Sequence, residues 1–184
     1  MKIYMSIVLL LACCTFSIAA PPLTEKSLYH LTDTWTNQNG QAATLGDFSG
    51  KWVVIAMFFS HCDYVCPRLV TDMRHIDQQL DDATRTNVCF VLASFDTPRD
   101  QPARLKEFAS EMQLPLDRWT LLHGDENAVR NLAAVLSIKY KQDLNGNFGH
   151  SIIITLLDNH GEIAQQAEGL GTDSSAILKR IQAP

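Results

Sequence analysis

The chain has no surplus of positive charge. Fifteen Lys and Arg stand against twenty Asp and Glu, for a formal charge of −5. The electrostatic footprint of a nucleic-acid binder is therefore missing. There is no low-complexity tract and no internal repeat. The N-terminal apolar run, residues 3–12, is too short to span a bilayer comfortably. Cysteine is scarce: Cys13, Cys14, Cys62, Cys66 and Cys89. No two of them have the two-residue separation usual for thiol–disulfide exchange. The Pro-x-x-x-Thr-x-x-Cys arrangement of peroxide-reducing thiol enzymes is absent before Cys62. What is present is apolar: 46% hydrophobic and 19% charged residues, enough for a real core.

The N-terminus reads as a targeting segment. Lys2 is a minimal positive region, and Ser17-Ile18-Ala19 places small residues at −3 and −1 of a cleavage site. Residues 1–19 are thus expected to be a signal peptide, and residues 20–184 one domain. Leu10-Leu11-Ala12-Cys13 is an imperfect lipobox, so a lipoprotein signal and a lipid anchor at Cys13 form the alternative. Cleavage after Ala19 removes one charge, Lys2, and takes −5 to −6. It leaves Cys62, Cys66 and Cys89 in an exported, oxidising compartment, read as the periplasm. Three is an odd number: one pair plus Cys89.

The stretch Phe58-Phe59-Ser60-His61-Cys62-Asp63-Tyr64-Val65-Cys66-Pro67 organises the rest. Before it runs Trp52-Val53-Val54-Ile55-Ala56-Met57, a continuous apolar strand of a sheet covered on both faces. After it, Leu69, Val70, Met73, Ile76 and Leu80 recur at helical spacing, predicting a helix over 68–80. Pro67 suits the first helical position and Cys66 the N-cap. Helix N-terminal N–H groups at that turn favour thiolates. Further on, the pattern predicts a hairpin around 37–40, a second buried strand over 87–95, and a helix carrying Leu105, Phe108 and Met112. A short strand over 119–122 comes next, then a helix capped by Asp125. Strands over 138–144, 151–157 and 162–168 and a helix over 174–181 complete the order, with 145–150 as a loop. This alternation, with thiols at the first strand–helix turn, predicts an α/β fold: a thioredoxin-like three-layer sandwich with a central mixed sheet and flanking helices.

Three uses of the two thiols are open. One is a structural disulfide bond, though so short a loop constrains the unfolded chain little. The second is thiol–disulfide exchange, one cysteine attacking and the other resolving. The third is metal binding: two thiolates suit Cu(I), and an imidazole would complete a three-coordinate site. Cys89, inside an apolar strand, reads as core. Of the histidines, His75 and His160 read as surface and His30 is uninformative. His61 adjoins Cys62 but should point away from it. His123 and His150 can approach the site face, His150 from the start of the strand Ser151-Ile152-Ile153-Ile154-Thr155.

Four stretches carry a resemblance. They are Phe59-Ser60-His61-Cys62-Asp63-Tyr64-Val65-Cys66-Pro67; Ser94-Phe95-Asp96-Thr97-Pro98-Arg99-Asp100; Trp119 to Gly124; and Gly149-His150-Ser151 through Ile163. In this order they resemble the Sco family of copper-binding, cytochrome oxidase assembly proteins. The resemblance implies a thioredoxin-like fold and copper, as Cu(I) or Cu(II), held by Cys62, Cys66 and His150. It implies delivery to cytochrome c oxidase subunit II or another exported copper protein, and a thiol-reductase activity on that subunit's cysteines. A metallochaperone with a possible reductase role follows, touching the membrane only through its partner or a lipid anchor. Gly149-His150-Ser151 occupies the place where thioredoxin-like reductases carry a cis-proline, which favours copper over general redox work. His123 stands where the pattern carries a hydroxyl residue, leaving a fourth ligand open. Asp96 matches by pattern, and Asp63 and Tyr64 flank the thiols.

Overall fold

A computed structural model describes residues 22–144, 146–171 and 173–183. The expected signal peptide, residues 1–19, lies outside the described residues, as does Cys13. Among the described residues no helix is long and apolar enough to cross a membrane.

The central element is β3 (Trp52–Phe58), whose side chains from Val53 onward are all buried. Its neighbour β4 (Val88–Ser94) is buried at every position. Both faces of these strands are covered, which is why each is an unbroken apolar run rather than an alternating one. β5 (Trp119–Gly124) pairs parallel with β4, and β4 parallel with β3. On the other side β8 (Ile153–Leu157) and β9 (Ile163–Glu168) add antiparallel strands. The hairpin β1 (Trp35–Asn37) and β2 (Ala42–Ala43) closes the far edge against β5. The full order is β2-β1-β5-β4-β3-β8-β9, a mixed seven-stranded sheet.

Among the described residues five α-helices accompany it: α1 (Val65–Gln78), α2 (Asp82–Arg85), α3 (Pro102–Glu111), α4 (Glu126–Val135) and α5 (Ser175–Ile181). α1 buries Leu69, Val70, Met73 and Ile76, the stripe read from the sequence. Asp125 caps α4, accepting the Ala128 N–H at 2.8 Å. Asp77 of α1 accepts from both terminal guanidinium nitrogens, Nη1 and Nη2, of Arg118, just before β5, and from Trp119 Nε1 at 3.5 Å. The Trp119 ring stacks on Phe90 with centroids 4.7 Å apart, deep in the core.

Two expectations change. Helix α1 begins at Val65 with Tyr64 as N-cap, so Cys66 is not the cap but already helical, and Pro67 is the third helical residue. A proline fits there as well as at the first position, because the first N–H groups of a helix have no internal partner. Residues 148–150 are not loop. Phe148–His150 form a strand, β7, that pairs antiparallel with β6 (Tyr140–Gln142) as a separate two-stranded sheet. His150 therefore ends β7 rather than opening β8.

Candidate metal centre

The parallel strands β3 and β4 end side by side, Phe58 opposite Ser94. The segment 59–64 leaves β3 at that edge and turns into α1. Cys62 sits in the turn, half-buried, and Cys66 is the second residue of α1, fully buried. Both are free thiols, as is the buried Cys89. Cys66 N–H donates to Cys62 Sγ at 3.3 Å. Cys62 sulfur thus takes the place of a cap side chain at the N-terminus of α1, where partial positive charge gathers. The Cys66 thiol, followed by the N–H groups of Cys66, Tyr64 and Val65, pulls the Cys62 thiol from 9.0 down to about 5. Cys66 moves the opposite way, because its proton is held toward the Cys62 thiolate and because it is buried. One sulfur is a ready thiolate at neutral pH, and the other holds its proton until something displaces it.

His150 reaches this pair from β7. Its Nε2 lies 4.0 Å from Cys66 Sγ, and its Nδ1 is 2.9 Å from the Ser151 carbonyl oxygen. Only an N–H can bond a carbonyl, so Nδ1 carries the proton and the Nε2 lone pair faces the sulfur. Three rings hold the imidazole in place. Phe95 lies 4.8 Å from it centroid to centroid, Phe59 6.3 Å away edge-on, and Phe148 packs on both phenylalanines. The three donor atoms do not all lie within 4.8 Å of one another. Closing them on one ion requires Cys62 or the β6–β7 hairpin to move.

The donor set fits a soft ion. Two sulfurs and one imidazole nitrogen with its tautomer fixed by a backbone carbonyl suit Cu(I). Binding would displace the Cys66 proton.

The other sequence candidates fall elsewhere. His75 and His30 are exposed, and His160 lies in the Asp158–Gly161 turn. His61 turns away from Cys62, its Nδ1 3.2 Å from Ser60 Oγ and 3.5 Å from Asp100 Oδ1. His123 is on β5, separated from β3 by β4, and makes no hydrogen bond to Cys62, Cys66 or His150. Asp63 and Tyr64 are exposed. Asp96, matched by pattern in the sequence, is fully buried and pairs with Arg99 at 2.5 Å.

Sequence reasoning missed Asp100. Its carboxylate is fully buried and accepts Ser60 N–H at 2.8 Å and Ser94 Oγ at 2.6 Å, with Ser60 Oγ on its other oxygen. It ties the ends of β3 and β4 together directly before Cys62. The available signal was two serines, Ser60 and Ser94, each closing an apolar strand run.

A mixed sheet with a two-thiol turn after its first central strand defines a thioredoxin-like protein with a sulfur–imidazole cluster. The SCO1/SenC family model matches residues 24–183. The chain belongs to that family. A SCO1 protein homolog of Bacillus subtilis is 28% identical over 109 residues, 56% of each chain. Among solved structures, a SCO1/SenC family lipoprotein from Bacillus anthracis is 25% identical. The match covers 80% of this chain and 89% of that one, with a TM-score of 0.73. Bradyrhizobium japonicum ScoI, solved with copper bound, is also 25% identical, covering 81% and 96% at a TM-score of 0.68. The chain spans about half the length of the curated relatives it matches.

Proposed function

We propose that the protein is an exported copper metallochaperone that binds one copper ion through Cys62, Cys66 and His150. It hands the ion to the dinuclear copper site of cytochrome c oxidase subunit II or to another exported copper protein. The observation that carries this reading is the aim of His150: Nδ1 is committed to Ser151, and Nε2 faces Cys66 Sγ at 4.0 Å. Family membership and the copper-bound relative support it. A three-ligand site leaves copper open to attack by a recipient's thiols. The compartment is the periplasm, entered by the signal in residues 1–19 or held by a lipid at Cys13.

The test is a copper titration of the reduced mature domain, wild type against His150→Ala, followed by absorption. Wild type is expected to take one equivalent tightly, and His150→Ala to lose at least about tenfold in affinity. Equal affinities would remove His150 from the site.

The asymmetry of the thiols favours a second activity. Cys62, half-exposed and ionised, can attack a recipient's disulfide to form a mixed disulfide and release one recipient thiolate. Cys66, losing its proton, then attacks Cys62 sulfur and expels the second thiolate. Two electrons pass from this protein to the recipient, and Cys62 and Cys66 end as a disulfide. His150→Ala should leave that exchange intact, whereas Cys62→Ser abolishes it.

A further inference from the structure

Beside the sulfur pair lies a second cluster that the copper reading does not use. The ligating atoms of His61, Asp96 and Asp100 all lie within 4.8 Å of one another. Both carboxylates are fully buried, and the histidine is exposed. Buried carboxylates are costly unless each oxygen is partnered or bound to a cation. Asp100 is well supplied by Ser60 and Ser94. Asp96 is not: Oδ2 takes the Arg99 guanidinium, while Oδ1 is buried without any hydrogen-bond partner.

The surrounding charge does not balance. Asp96, Asp100, Glu107 and Glu111 supply four carboxylates, and Arg99 and Arg104 two guanidiniums. Arg99 pairs with Asp96, and Arg104 with Glu107 at 2.9 Å and Glu111 at 2.8 Å. Arg104 also donates to Ser60 Oγ at 3.0 Å, which places it against the same cluster. Glu107 and Glu111 stand in solvent, so the charge left inside the cluster is that of Asp100, which has hydroxyl and amide donors but no guanidinium.

We propose that His61, Asp96 and Asp100 form a second metal site, for a divalent first-row cation such as Zn(II), distinct from the sulfur–imidazole cluster. One imidazole nitrogen and two carboxylate oxygens are harder donors than two thiolates and select a different ion from Cu(I). Nitrogen and oxygen ligands about 2.1 Å from zinc stand roughly 3.4 Å apart in a tetrahedral shell. His61 Nδ1 and Asp100 Oδ1 are already at 3.5 Å. The unpartnered Asp96 Oδ1 supplies the third bond without displacing Arg99 from Oδ2. The exposed face of His61 is the route of entry and the position for water on the ion. Because Ser60 and His61 lead directly into Cys62, an ion here would also brace the loop that carries the first thiol.

The test removes the sulfur site first. Zn(II) is titrated by calorimetry into the full mature chain carrying Cys62→Ser and Cys66→Ser. The proposal expects one equivalent bound, with affinity falling about tenfold or more when His61→Ala or Asp96→Asn is added. Absence of stoichiometric binding overturns it, and so does binding that both added substitutions leave unchanged. Asp96 is buried and its variant can lose the fold, so circular dichroism is recorded for each protein. Should Asp96→Asn be unfolded, His61→Ala decides alone, since that side chain is exposed and leaves the core intact. The copper reading is not at stake in this experiment, because both thiols are gone.

Discussion

Cys62 and Cys66 hang from the centre of a seven-stranded sheet, whereas His150 ends a strand in a separate sheet of three residue pairs. The thiol half is fixed by hydrogen bonds. β3 is paired along its length to β4 and further to β8, and Asp100 fastens its exit through Ser60. The imidazole half is fixed largely by rings. Phe95 stacks on Tyr140 at 5.6 Å and meets Phe148 at 4.9 Å and His150 at 4.8 Å. A hydrogen-bond ladder specifies position in all directions, while ring packing permits sliding and opening at lower cost. The difference teaches where adjustment should occur. Cys66, buried in α1, stays put, and the hairpin is the half expected to bring or withdraw the third ligand.

The largest expected contrast is between thiols. Cys62 is drawn to about 5 by the Cys66 thiol and helix N–H groups, and Cys89 is pushed by burial to about 11. At pH 7 iodoacetamide should modify Cys62 quickly and Cys89 only after unfolding, as peptide mass mapping reports. The far-ultraviolet thiolate absorbance should titrate near pH 5 in wild type and vanish in Cys62→Ser. The signs of the stability effects follow. Cys62, lowered in the fold, contributes stability that is complete above 9.0 and lost as pH falls through about 5. Cys89, raised in the fold, contributes stability that is complete below 9.0 and lost as pH rises towards about 11. Equal reactivity of the two would erase the distinction between a helix-end thiol and a core one.

Next in size is damage to the sheet half. Phe90→Ala removes the ring stacked on Trp119 and should cost about 3–5 kcal/mol of unfolding free energy. Denaturant titration would read this as a fall in midpoint at unchanged slope. A loss confined to hairpin amides, with no global change, would show that the sheet does not set the stability. Phe95→Leu strikes the other half. It keeps most of the volume but removes the ring contacts to Tyr140, Phe148 and His150, for about 1–2 kcal/mol. Here hydrogen exchange should speed up in residues 140–142 and 148–150 and copper affinity should fall, while the Cys62 titration stays near 5. Movement of that titration would mean that the two halves are coupled more tightly than their construction implies.

The sequence carried the stiff half openly and the adjustable half poorly. β3 and β4 are apolar at every position because both their faces are covered, and that signature is local. The Asp125 cap and the stripe Leu69, Val70, Met73, Ile76 are equally local. By contrast Phe148-Gly149-His150 is too short to show a period, and its strand character comes from pairing with Tyr140 and its neighbours. The start of α1 was misplaced because proline is compatible with any position in the first turn, and the cap that matters there is a sulfur. Asp100 was hard to read for another reason. Ser60 and Ser94 meet it only because β3 and β4 end together, a fact of register and not of composition. His150 was identified as a candidate by resemblance and by its position before an apolar strand, but the tautomer that turns Nε2 to the sulfur is set by a backbone carbonyl.

The smallest expected effect is at Gly149, and it bears on the same contrast. Gly149 lies opposite Lys141 in the β6–β7 pair, one residue from His150. Its φ is not in the left-handed region, and an added Cβ would meet nothing within 4 Å. Gly149→Ala is therefore free of strain and of collision, and an alanine reduces the conformational freedom lost on folding. Stability should stay within about 0.5 kcal/mol of wild type or rise slightly. Copper affinity is the more telling measurement. If the hairpin closes on the thiols as a preformed unit, the stiffer strand should bind copper as well as wild type or a little better. If closure instead requires the backbone at Gly149 to swing into a conformation that alanine resists, affinity falls while stability does not. That outcome would place the hinge inside β7 instead of at the ends of the hairpin.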